Sequence, residues 1–198
     1  MSEKHLKKRM PSRQLTTKRI ALSGLFLALA LIVSLLENML PPIIPMLPYA
    51  KIGLSNIILL MCFLIIGVWE GYIVLVLKCV LAAVFAGNMS ALLWSLPSAF
   101  VAYTVMVGLF YLKKFSTTGL SMAGGMLHNL TQILVASVIV GKTVFAYLPY
   151  MLLAGGIAGL VTGVICHFFV ERFRDKFKVV GIKHQEYQRE IFDEIKKN

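Results

Sequence analysis

A chain of 198 residues that is 58% hydrophobic, with a mean hydropathy of +0.79, holds more apolar surface than a soluble domain hides. Such domains average about 45–50% apolar. The net charge of +11 does not make it a nucleic-acid reader, because seven of the 20 Lys+Arg lie in residues 1–19 and eight in residues 171–198. They flank an apolar body and form no basic face beside base-reading groups.

Taken in order, residues 1–17 read as a polar, basic tail and Lys18 to Leu36 as the first membrane span. That span follows basic residues as a signal peptide would, but it ends in Glu37-Asn38 with no small-residue cleavage site, so it reads as a retained helix. Pro41, Pro42, Pro45 and Pro48 then forbid a regular helix. Further spans are expected at Ile52–Val68, Gly71–Ala86, Ala91–Leu112, Leu120–Val140 and Tyr147–Val170. Residues 171–198 alternate charges at helical spacing and read as a surface helix. The expected fold is therefore an all-α integral membrane protein of six transmembrane helices, residues 18–170, with a tail at each end.

Orientation follows from the positive-inside rule. With the N-terminus in the cytoplasm, both basic tails and Lys113-Lys114 lie inside, while the outer loops hold only Lys51 and Lys142. Both termini are then cytoplasmic, and the lipid bilayer is the first partner.

Polar groups within the spans mark candidate sites, since a central Lys costs roughly 2.5–3.5 kcal/mol on insertion scales. Lys78 is the eighth residue of the third span. It reads either as a group lining an aqueous pocket or as a structural partner of Glu37 or a backbone carbonyl. Asn129 and Gln132, three apart, share one face of the fifth span, with His128 pointing away. They read as pocket residues or as hydrogen bonds between helices. Topology brings Glu37, Lys51, Asn56 and Asn88 to the outer side. With Lys78, Asn129 and Gln132 they are expected to line an outward-opening pocket for a small-molecule ligand.

Small residues mark close helix contacts. Gly155, Gly159 and Gly163 recur every fourth residue in the sixth span and read as internal packing. Ala21, Gly24 and Ala28 form a similar stripe on the first span, suited to close contact within the protein or against a partner. The cysteines, Cys62, Cys79 and Cys166, stand apart with no CxxC or zinc spacing, and no metal site is expected.

The run Pro48-Tyr49-Ala50-Lys51-Ile52-Gly53-Leu54-Ser55-Asn56-Ile57, the Leu36-Glu37 end of the first span and Gly87-Asn88 after the third resemble the Gx transporter family. That family is also labelled heptaprenyl diphosphate synthase component I, and the resemblance covers about residues 18–170. It is similar to the substrate-binding S components of energy-coupling-factor vitamin importers. The resemblance implies six helices, a ligand taken from outside, and an energy-coupling membrane subunit with ATPases docked through Ala21, Gly24 and Ala28. Some members look like the membrane component of flavin-based extracellular electron transfer in Gram-positive bacteria, which implies a bound quinone or flavin and a surface electron-transfer partner. No intrinsic cofactor is expected, because no haem, iron–sulfur or flavin attachment motif is present. A non-catalytic role beside a prenyl or quinone pathway is the third implication. Prenyl diphosphate chemistry needs carboxylates for Mg²⁺, and the only aspartates, Asp175 and Asp193, lie in the C-terminal tail.

Overall fold

The computed structural model describes residues 12–39, 53–112 and 114–177. Six α-helices follow one another: α1 Ser12–Met39, α2 Asn56–Ile65, α3 Val68–Phe85, α4 Ser90–Tyr111, α5 Thr117–Ile139 and α6 Leu148–Phe177, with a 3-10 helix at Lys142–Tyr147. Five of these segments are long and apolar enough to cross a membrane. The protein is an all-α, multi-pass membrane protein.

The second span differs from expectation. The helix in Ile52–Val68 is only ten residues long, and all ten are buried. At 1.5 Å per residue it covers about 15 Å, half of a hydrocarbon core. A helix that is apolar on every side belongs inside protein, and α2 fills the centre of the bundle. The ends of the chain differ too. Helix begins at Ser12, inside the expected tail, and α6 continues unbroken past Val170 to Phe177. The expected helix around Tyr187 to Lys196 lies outside the described residues.

The helices alternate in direction. Arg19 pairs with Glu70 near the starts of α1 and α3, and further along both helices Glu37 and Lys78 reach one cavity, so the two run parallel. Between them α2 descends, from Ser55 beside Lys78 to Gly67 beside Glu70 and Arg19. Helix α4 descends from Ala91 and Ser95 at the cavity to Tyr103, whose hydroxyl donates to the Val68 carbonyl at 2.9 Å. A Cβ on Gly71 would sit 1.8 Å from that hydroxyl, so glycine there makes the room Tyr103 occupies.

Two packing layers hold the bundle. Phe63 of α2 meets Phe110 edge-on at 4.9 Å and Tyr103 at 6.2 Å between ring centroids, a favoured aromatic geometry. Helices α5 and α6 approach through glycines: a Cβ on Gly125 would lie 2.3 Å from the Gly155 carbonyl oxygen, and one on Gly163 2.7 Å from the Thr118 Cα. The stripe on α6 thus packs internally, as its spacing predicts. Ser121 and Thr162 hydrogen-bond across the same seam at 2.9 Å. Outside, Ile20, Leu25, Ile32, Leu36, Ile73, Leu153, Ile157 and Phe168 are exposed, an apolar belt that hydrocarbon suits and water does not.

Candidate ligand site

One end of the bundle encloses a polar cavity. Helix α1 contributes Ser34 and Glu37, the turn into α2 contributes Gly53 and Ser55, and α3 contributes Lys78, Cys79 and two alanines. Ala91 and Ser95 of α4 and His128 of α5 complete the wall. Space for the centre of a water molecule amounts to about 10 Å³, room for roughly one water.

The backbone before α2 is shaped to hold a carboxylate. Gly53 has φ +86°, a left-handed conformation that glycine adopts freely. Its N–H donates to Glu37 Oε1, and the Leu54 N–H donates to the same oxygen at 3.4 Å. A Cβ on Gly53 would come within 3.0 Å of both Asn56 Nδ2 and His128 Cδ2. Glycine therefore answers both the conformation and the crowding. Glu37 is 7% exposed, and its second oxygen, Oε2, is buried with no hydrogen-bond partner.

Lys78 is 4% exposed, and its Nζ donates to Ser55 Oγ at 2.9 Å. Among the described residues no carboxylate oxygen lies within 4.0 Å of it. The expected pairing with Glu37 is thus not a direct ion pair: the two charges face a common space. Asn56, expected to line the pocket, is buried close to Gly53 and His128 but is not on the cavity wall, and neither of its side-chain polar atoms is partnered. Unmet groups of this kind cost about 1–3 kcal/mol each.

Other expected residues lie elsewhere. Asn129 turns toward α6 and donates to the Met151 carbonyl at 2.7 Å, so it ties two helices and does not line the cavity. Gln132 instead reaches one turn back to His128, 3.1 Å between Nε2 atoms, and His128 is the one that lines the cavity. The sequence reading turned His128 away from this face, although its i,i+4 spacing to Gln132 carried the signal. Asn88 is a capping residue: Oδ1 accepts from the Ser90 N–H at 3.1 Å. Its own N–H bonds Ala83 O, the Gly87 N–H bonds Val84 O, and Gly87 sits at φ +64°, the Schellman stop of α3. Gly87-Asn88 is thus a helix-ending device away from the cavity. Lys51 lies outside the described residues.

Ser34 and Ser55 were not singled out from sequence. Ser34 stands one turn before Glu37 on the same face, and Ser55 adjoins Asn56 in the quoted run. Ala21, Gly24 and Ala28 are all exposed on α1, and a Cβ on Gly24 would meet nothing within 4 Å. The bundle leaves this stripe uncovered. Among the described residues no group of three or more His, Cys, Asp or Glu is placed to hold a metal ion.

A family model described as heptaprenyl diphosphate synthase component I matches residues 26–169, well over half of the chain. No curated protein and no solved structure matches it.

Proposed function

We propose, from the premise that this chain belongs to the heptaprenyl diphosphate synthase component I family, that it is the small-molecule-binding subunit of an energy-coupled importer in the cell membrane. The observation that carries this reading is Lys78, a buried ammonium facing a cavity that it shares with Glu37 and His128, with no carboxylate among the described residues within 4.0 Å. A lysine kept for structure alone would be better served by a contacting carboxylate, because an unneutralised charge inside a membrane bundle is expensive. A ligand's acceptor group supplies what Lys78 lacks.

The basic tails support both termini in the cytoplasm. The cavity, which lies at the far end of α1 and α3 from the Arg19–Glu70 pair, then opens toward the outer side. The open stripe at Ala21, Gly24 and Ala28 is the docking surface for a membrane coupling subunit and its ATPases. The chain is not a prenyl-transfer catalyst in this reading, since its only aspartates, Asp175 and Asp193, lie beyond the apolar spans, the first in the last turn of α6.

Co-purification from native membranes tests this. The account expects a membrane coupling protein and ATPase subunits to accompany the wild type and to be lost in Gly24→Leu. A Gly24→Leu chain that keeps the same partners removes the docking surface. A deletion strain that loses surface ferric reduction while small-molecule uptake stays intact replaces the importer reading with quinone- or flavin-linked electron export.

A further inference from the structure

Resting on the ligand-site reading above, we infer that Glu37 is a latch: its carboxylate, held by the Gly53 and Leu54 N–H groups, fastens the cavity end of α1 to the turn into α2, and a ligand enters and leaves by parting that contact. The cavity as it stands has room for roughly one water, whereas small-molecule sites measure roughly 300–1,000 Å³. A wall must therefore move before a ligand is seated, and the packing singles out α1.

The other walls are interlocked. Helix α2 is buried along its whole length, with Phe63 set against Tyr103 and Phe110 of α4. Tyr103 fills the space beside Gly71 of α3, and a Cβ on Gly124 of α5 would lie 2.4 Å from Met106 Sδ of α4. The turn itself is tied to α3, because Lys78 donates to Ser55. Helix α1 lies at the edge of the bundle. Ile20, Leu25, Leu29, Ile32 and Leu36 are exposed, and its buried contacts follow one line: Phe26, Ala30, Ser34 and Glu37. Leu22, Leu27 and Val33 flank that line half-buried. The apolar grip thus thins toward the cavity, and beyond Val33 the buried side chains of α1 are Ser34 and Glu37. At the opposite end Arg19 pairs with Glu70, which leaves that end as the pivot.

The latch is built to release. Gly53 at φ +86° turns its own N–H and that of Leu54 onto one carboxylate oxygen, while Oε2 of the same group is buried without a partner. Asn56 Oδ1 and Nδ2, beside the turn, are unmet as well. Parting α1 from the turn admits water to these groups. Hydrating them offsets the hydrogen bonds that are lost and keeps the open form populated as a minor state.

The chain carries its own reporter. Cys79 lines the cavity and is 1% exposed, while Cys166 is equally buried but is not on the cavity wall. The test uses the full chain in lipid nanodiscs, in two single-cysteine forms that retain Cys79 or Cys166, with a charged methanethiosulfonate reagent too large for the closed cavity. Labelling of Cys79 is expected to be slow in the parent. It should rise about ten-fold in Glu37→Gln, which keeps the side chain's size but weakens a charge-assisted contact. Glu37→Met, of similar length and with no oxygen acceptor, should raise it at least as far. Labelling of Cys166 should stay slow in both variants, and Arg19→Ala, at the pivot, should leave Cys79 slow. Cys79 labelling no faster in Glu37→Gln and Glu37→Met than in the parent overturns the latch. So does a matching rise at Cys166, which reports general loosening. Small molecules retained by the parent on mild purification are identified by mass spectrometry in the same preparations. A failed latch with a molecule still retained leaves the binding-subunit reading standing. Retention of nothing above empty nanodiscs overturns that reading, while the two cysteine rates still decide the latch.

Discussion

Glu37 of α1 and Lys78 of α3 face the same buried cavity without forming a direct ion pair. Each is held by the segment that opens α2: Glu37 by the Gly53 and Leu54 N–H groups, Lys78 by the Ser55 hydroxyl. Three helices are thus tied at one short turn, and the charges are kept apart by the partners they already have.

Ser55→Ala removes the hydroxyl that Lys78 donates to while leaving the ammonium buried. Losing a hydrogen bond to a charged group costs about 1.5–3 kcal/mol, so the melting temperature should fall measurably in nanodiscs. Ser55→Thr, which keeps a hydroxyl, should recover much of the loss.

Gly53→Ala strains the backbone at φ +86° and pushes a methyl toward Asn56 and His128 at 3.0 Å. Strain at a left-handed position costs of order 1–3 kcal/mol. The carboxylate of Glu37 should lose its backbone donors in the same step. Thermal melting and ligand retention should therefore fall together.

Two glycine substitutions separate packing from docking. Gly125→Ala places a Cβ 2.3 Å from the Gly155 carbonyl oxygen, and overpacking of this kind costs typically 1–3 kcal/mol. Gly24→Ala meets open space and exchanges glycine for a better helix former, worth up to about 1 kcal/mol. Melting curves should place the first well below the wild type and the second at or above it.

The fold was largely legible because length and apolar runs dictate membrane helices. Lys18–Leu36 falls within α1, Tyr147–Val170 falls within α6 apart from Tyr147, which closes the preceding 3-10 helix, and Gly155, Gly159 and Gly163 announced their contact with α5. Helix α2 was legible as apolar but not as short: Ile57 to Ile65 looks the same to a hydropathy average whether lipid or protein surrounds it. The site was half legible. Glu37 and Lys78 stood out because ionisable groups are costly in hydrocarbon. Asn88 and Asn129 were equally polar, yet one caps a helix and the other bonds a carbonyl. Composition reveals that a polar group needs a partner; only packing reveals which partner it has.

Arg19→Ala should change stability little. The pair with Glu70 is partly exposed, 36% and 20%, and such pairs are worth about 0–1 kcal/mol. A double-mutant cycle with Glu70→Gln on melting temperature measures the coupling directly.

The account stands most directly on Lys78→Met, measured for melting temperature and for retained small molecule in the same nanodisc preparation. It predicts a cooperatively melting protein, as stable as the wild type or more so because a buried charge is gone, that has lost its bound molecule at least ten-fold. A variant that melts far earlier yet retains the molecule undiminished would contradict it, and would make Lys78 a structural residue with the ligand bound elsewhere.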